Sequence, residues 1–191
     1  MTNDYRTKHF KLGSIHGRSP TDGCREALLR NYIFGAGNLV IVQRGNTRIN
    51  IRIVGYEIPI WSRGRKRDEC IDLLGYDETF RPWIIELKKA ASTEKLDEVF
   101  TQVDRYCKAF EEGIREAVQA EIQQRFLWPQ FSFKAEAAGK VILADRSFFK
   151  RQKEVAYGRK DILRCSFARC KDEKTLLGMP RAEISLRVER V

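Results

Sequence analysis

The chain has 191 residues, 42% of them apolar, which allows one substantial core and argues against a disordered chain. Lysine and arginine number 36 against 26 aspartates and glutamates, a net charge of +10 that points to an anionic partner, nucleic acid ahead of an acidic membrane surface. The longest uncharged stretch, Asn31 to Gln43, is broken by Gly35, Gly37 and Asn38 and falls short of the ~20 apolar residues a spanning helix needs. No apolar run follows the charges of Met1–Arg6, so neither a membrane span nor a secretory signal is expected and the chain reads as cytoplasmic. Five scattered cysteines (Cys24, Cys70, Cys107, Cys165, Cys170) are odd in number and read as thiols rather than a disulfide framework. Cys165 and Cys170 lack the further ligands a structural zinc requires, and His9 and His16 read as solvated surface residues.

In chain order, Thr21-Asp22 caps a short helix over Cys24–Phe34 that stops at Gly35 and Gly37. Ile49, Ile51 and Ile53 alternate with Arg48, Asn50 and Arg52, the pattern of a strand with one buried and one wet, basic face, persisting to Trp61. The basic run from Ser62 to Glu69 around Gly64 predicts an exposed hairpin turn, or simply a solubilising loop. Two antiparallel strands follow, Cys70–Gly75 and Trp83–Lys88, joined by a turn through Tyr76–Pro82. Leu96, Val99, Phe100, Val103, Cys107, Phe110 and Ile114 then recur at three- and four-residue steps, predicting a helix from Glu94 to about Phe126. Trp128-Pro129 ends it, Val141–Ala144 supplies an apolar strand, Arg146–Tyr157 reads as helical, and two late strands fall near Ile162–Cys170 and Ile184–Val188. Trp83 reads as core; Trp61 and Trp128 are aromatic candidates for stacking on bases.

Asp72 and Glu86 stand among isoleucines and leucines, where a carboxylate is costly unless a cation or hydrogen bonds compensate it. Alternation puts Ile84, Glu86 and Lys88 on one face and Ile85 and Leu87 on the other. A register that sets Leu74 opposite Ile84 sets Asp72 opposite Glu86, and directly opposed Cβ atoms lie ~4.5–5.5 Å apart. Two carboxylates that close repel unless a hard divalent cation, Mg2+ or Mn2+, binds both while keeping several waters. Lys88, one pleat further on, is a candidate to contact a phosphate or an attacking water.

Asp72, thirteen intervening residues and Glu86-Leu87-Lys88 at the end of an apolar strand resemble the PD-(D/E)XK nuclease superfamily, and Ile71–Gly75 with Ile84–Lys89 is most similar to its NucS/RecB-like branch. That branch carries Gln-x-x-x-Tyr on the next helix, matched here by Gln102 and Tyr106, which share a helix face at i and i+4. Glu26 matches a glutamate that many members carry on the first helix, and surface salt bridging explains it as well. The family's proline before the first acidic residue is absent; Ile71 stands there. The resemblance spans roughly Thr21 to Asp145 and implies a restriction-endonuclease-like α/β fold, a mixed central sheet flanked by helices. One domain, 1–191, is expected, its core about 21–145 with extra C-terminal elements over 146–191.

The implied activity is that of a metal-dependent DNA endonuclease hydrolysing phosphodiester bonds, of repair or restriction type. Asp72 and Glu86 would hold Mg2+ or Mn2+, Lys88 would stabilise the phosphate or position the nucleophile, and Gln102 and Tyr106 would orient substrate or Lys88. Arg48, Arg52, Arg63, Arg65, Lys66 and Arg67 are candidates for DNA phosphate contacts, which give affinity without sequence information. A homodimer suits the cutting of two antiparallel strands. Two other readings stay open: a non-catalytic nucleic-acid-binding or assembly module that keeps the nuclease fold, and a structural ion pair of Asp72 with Lys88 or an arginine.

Overall fold

The computed structural model describes residues 11–12, 25–42, 48–60, 69–89, 92–152, 159–167 and 186–190. Helix α1 (Arg25–Ala36) closes at Gly37, whose left-handed φ of 73° lets its N–H reach back to the carbonyls of Ile33 and Phe34, both at 3.1 Å. A strand that periodicity did not announce, β2 (Asn38–Val42), follows at once and pairs antiparallel with the first limb of β3 (Arg48–Ile60), from Asn38↔Arg52 to Val42↔Arg48. The short β1 (Lys11–Leu12) lies beside Gly55 and Tyr56 of the same strand.

The second limb of β3 pairs antiparallel with β4 (Glu69–Tyr76), and β4 with β5 (Pro82–Lys88). After helix α2 (Leu96–Ala109), β6 (Gly139–Asp145) returns parallel to β5, and β7 (Ile162–Phe167) lies parallel to β6. Strand β8 (Leu186–Arg190) pairs antiparallel with β7 and parallel with β2. The hydrogen-bonded neighbours therefore close a circuit, β2–β3–β4–β5–β6–β7–β8 and back to β2, within a mixed eight-stranded sheet. Beyond residue 146 the described elements are the short helix α4 (Arg146–Arg151) and the two late strands β7 and β8, both of which join the sheet.

Each face of the sheet has its own core. Ile33 and Phe34 of α1 pack with Leu39, Ile51, Leu73, Ile85 and Leu143 on the face that α1 covers, termed the inner face. On the other face α2 and the turn that follows it bury every apolar residue of the predicted series in one cluster with Ile58, Leu74, Ile84 and Ile142. Each such side chain contributes ~1.5–3 kcal/mol of burial, so packing rather than propensity holds this helix. The helix is not continuous to Phe126 as expected. A π-helical turn over Phe110–Ile114, kinked at Gly113, joins α2 to α3 (Arg115–Arg125). Across this turn Phe110 and Ile114 both stay in the core while Glu111 and Glu112 face water.

Trp83 fills core as expected, its indole lying against Gly139, where an added Cβ would stand 2.4 Å from Cε3. Trp128 packs with Tyr76, Phe80 and Phe131. Trp61, the basic turn from Ser62 to Asp68 and Cys170 lie outside the described residues. Among the described residues no helix is long and apolar enough to cross a membrane.

Candidate active site

The β4–β5 hairpin is organised by Asp77. Its carboxylate accepts hydrogen bonds from the Thr79 N–H (2.9 Å), the Thr79 hydroxyl (2.7 Å), the Arg81 N–H (3.2 Å) and the Trp83 indole (2.9 Å). This turn fixes the register at Leu74↔Ile84 and Leu73↔Ile85, the one considered from the sequence. The backbone ladder stops there. At the next position Asp72 replaces it with its side chain: Oδ2 accepts the N–H of Leu87 at 2.9 Å, the residue between Glu86 and Lys88.

The reason lies in β3. Residues two apart on a regular strand share a face, yet Tyr56 belongs to the inner core and Ile58 to the outer, and across the ladder Leu73 is inner and Ile71 outer. Both strands reverse their facing between these pairs, at Glu57 and Asp72, which stand opposite each other between Tyr56↔Leu73 and Ile58↔Ile71. Glu57 makes the reversal with a left-handed φ of 46°, a conformation that costs a non-glycine residue about 1–3 kcal/mol. Arg30 of α1 reaches this point, with Nη2 2.6 Å from Glu57 Oε1 and Nη1 3.7 Å from Asp72 Oδ1.

Glu86 and Lys88 project together from β5 toward α2, as alternation requires, and both are buried, with side chains 4% and 6% exposed. Lys88 Nζ lies 2.8 Å from Glu86 Oε1 and 2.7 Å from Glu94 Oε2, and donates to Gln102 Oε1 at 3.2 Å. The Gln102 amide in turn donates to the Tyr106 hydroxyl. Burial alone would lower the Lys88 pKa, but the charges of Glu86 and Glu94 outweigh it and the ammonium is held above its ordinary value. Burial, then the negative charge of Glu86, raises the Tyr106 pKa against the opposing Gln102 hydrogen bond. At neutral pH the pair is therefore an ammonium and a neutral phenol, so Lys88 acts as a fixed cation rather than a base.

Strand β5 and helix α2 thus bring Glu86, Lys88, Gln102 and Tyr106 together with Glu94, while Asp72, beside Arg30 and Glu57, is tied to this group through the Leu87 N–H; Arg30, Glu57 and Glu94 are groups that the sequence did not single out for the site. In the sequence Glu94 reads only as a helix-start carboxylate. Lys88 pairs with Glu86 and Glu94, while the arginine near Asp72 is Arg30. Glu26 lies in the first turn of α1, with its side chain outside the described set, as are Arg63, Arg65, Lys66 and Arg67. Arg48 and Arg52 are exposed, but Arg52 stands opposite Tyr76, five residues along β3 from Glu57 and so about 15 Å from the carboxylates.

The donor chemistry suits a hard divalent cation. Asp72 and Glu86 offer oxygen only, from adjacent strands. Among the described residues no group of three or more acidic, histidine or cysteine side chains gathers as a metal cage. Two carboxylates with the remaining positions left to water and substrate oxygen is the usual manner of Mg2+ binding. The chain matches no family model, no curated protein and no solved structure.

Proposed function

We propose that this protein is a divalent-metal-dependent DNA endonuclease on a restriction-endonuclease-like scaffold. The observation that carries the reading is the hydrogen bond from the Leu87 N–H to Asp72 Oδ2, because it ties one acidic strand to the stretch that bears Glu86 and Lys88 on either side of Leu87. A mixed sheet with helices on both faces and a Gln102–Tyr106 pair within reach of Lys88 support it further.

In this reading Asp72 and Glu86 would hold the ion, which would supply Lewis acidity at the phosphate and a lowered pKa for the attacking water. Lys88, kept protonated by Glu86 and Glu94, places a positive charge where negative charge builds on the phosphate. Gln102 accepts from Lys88 and donates to Tyr106, which fixes the ammonium and leaves the phenol proton for an outside acceptor. Arg48 and Arg52 suit a DNA backbone running several nucleotides from the site.

The test is nicking of supercoiled DNA by the purified protein with Mg2+, Mn2+ or a chelator. Wild type cuts only with metal, and Asp72→Asn, Glu86→Gln and Lys88→Met each lower the rate on the order of 10²-fold or more. Metal-independent cutting, or wild-type rates in folded variants, overturns the assignment. A second reading, a nucleic-acid-binding module that does not cleave, is favoured by one observation: Glu86 pairs with Lys88 at 2.8 Å and Asp72 has Arg30 at 3.7 Å, so protein cations already face both carboxylates. Steeply salt-dependent DNA binding without cleavage or Mn2+ uptake identifies that case. Sedimentation of the protein on duplex DNA tests the homodimer.

A further inference from the structure

Arg30 is one guanidinium shared by two carboxylates, and the sharing is unequal: 2.6 Å to Glu57 and 3.7 Å to Asp72. Its Nε is buried and has no hydrogen-bond partner among the described residues, so these two carboxylates are the groups seen to compete for its head. Arginine and carboxylate prefer a close, two-pronged pairing. Full pairing with Asp72 would occupy Oδ1, while Oδ2 is already committed to the Leu87 N–H. Glu57, whose backbone is left-handed, stands directly across the β3–β4 ladder and makes the shorter contact to Arg30.

We infer that Glu57 is a positioning residue, which draws the Arg30 guanidinium toward itself and so weakens the competition of Arg30 with a divalent cation for the Asp72 carboxylate. The inference rests on the metal-site reading above and adds a control element to it. Glu57→Gln keeps size and backbone but gives up the charge that holds Arg30, so the guanidinium closes on Asp72 and competes with the metal. Arg30→Met removes the competitor.

The measurement is Mn2+ binding to the full chain by calorimetry, without DNA, with circular dichroism confirming the fold of each variant. Asp72→Asn abolishes binding. Glu57→Gln weakens it roughly fivefold or more, in the range of directly coupled charged neighbours, and Arg30→Met strengthens it. Simple charge removal gives the same two signs, so the double variant decides. With Arg30 already replaced, Glu57→Gln has nothing to release and shifts affinity less than about twofold. Additive effects overturn the inference, and so does unchanged affinity in the Glu57→Gln single variant, which suffices should Arg30→Met not fold. Wild-type binding lost in Asp72→Asn but indifferent to Glu57 sinks the inference alone. Absence of wild-type binding sinks it together with the nuclease reading.

Discussion

Replacing Lys88 by methionine keeps the length of the side chain and strands Glu86, whose side chain is only 4% exposed, without its ammonium 2.8 Å away. Glu94 loses the same partner but is 46% exposed and can turn to water, so the penalty falls on Glu86. Removing one member of a buried pair costs about 3–5 kcal/mol. The size of the loss depends on pH. In the wild type the raised Lys88 pKa means that its contribution is complete below pH 10.5 and is withdrawn only at more alkaline values, so stability across the neutral range owes no slope to this lysine. In Lys88→Met the buried Glu86 takes up a proton on folding, so the deficit is small near pH 5 and grows toward pH 8, with a slope of at most ~1.4 kcal/mol per pH unit. Urea unfolding followed by tryptophan fluorescence at both pH values measures it, and Glu86→Gln with Lys88→Met recovers most of the loss. A deficit below about 1 kcal/mol at pH 8 would show that water reaches this pair. An equal deficit at the two pH values would show that methionine's packing, not the stranded charge, is responsible.

Gly139→Ala sets a methyl 2.4 Å from Trp83 Cε3, and the ring cannot swing away without breaking its bond to Asp77; a loss of about 1–3 kcal/mol and a shifted tryptophan emission are expected. Asp104 accepts from Arg159 at 2.9 Å and from Lys140 at 2.8 Å, and these partners, with Asp161, are all partly exposed, so Asp104→Ala costs roughly 1 kcal/mol or less per pair by thermal melting. Arg159 hydrogen bonds, above all, hold the Asp104 pKa below 3.8; the wild-type contribution is present above that value and lost as pH falls further, so the difference between wild type and Asp104→Ala shrinks in acid. Arg48→Ala and Arg52→Ala each reduce the slope of log affinity against log salt by about 1 in DNA binding, and an unchanged slope removes that arginine from the interface.

The hairpin carrying the site was readable because its information is local. The register with Leu74 opposite Ile84, open in the sequence as one condition, is the one the hairpin adopts, and alternation sends Glu86 and Lys88 to the same side. The same rule fails at Asp72 and Glu57, where both strands reverse their facing, since a left-handed glutamate leaves no trace in an apolar pattern. Arg30 was equally silent: a helix sequence does not say which strand a long basic side chain will reach. Strand β2 was hidden within an uncharged stretch broken by glycines, and its partner β8 lies some 140 positions away, a separation over which periodicity carries no pairing information. Gln102 and Tyr106 were found because four-residue spacing on a helix is local geometry.

Closure of the strand circuit makes β8 a keystone in time as well as in space. Its pairing with β2 links positions 39 and 186, so this step of folding waits on nearly the whole described chain. Until it arrives, β2 and β7 each lack a neighbour, and such bare edges are templates for pairing with other chains. A fragment ending before residue 186 keeps every residue of the candidate active site yet leaves those two edges open, which favours aggregation during synthesis or after proteolytic trimming.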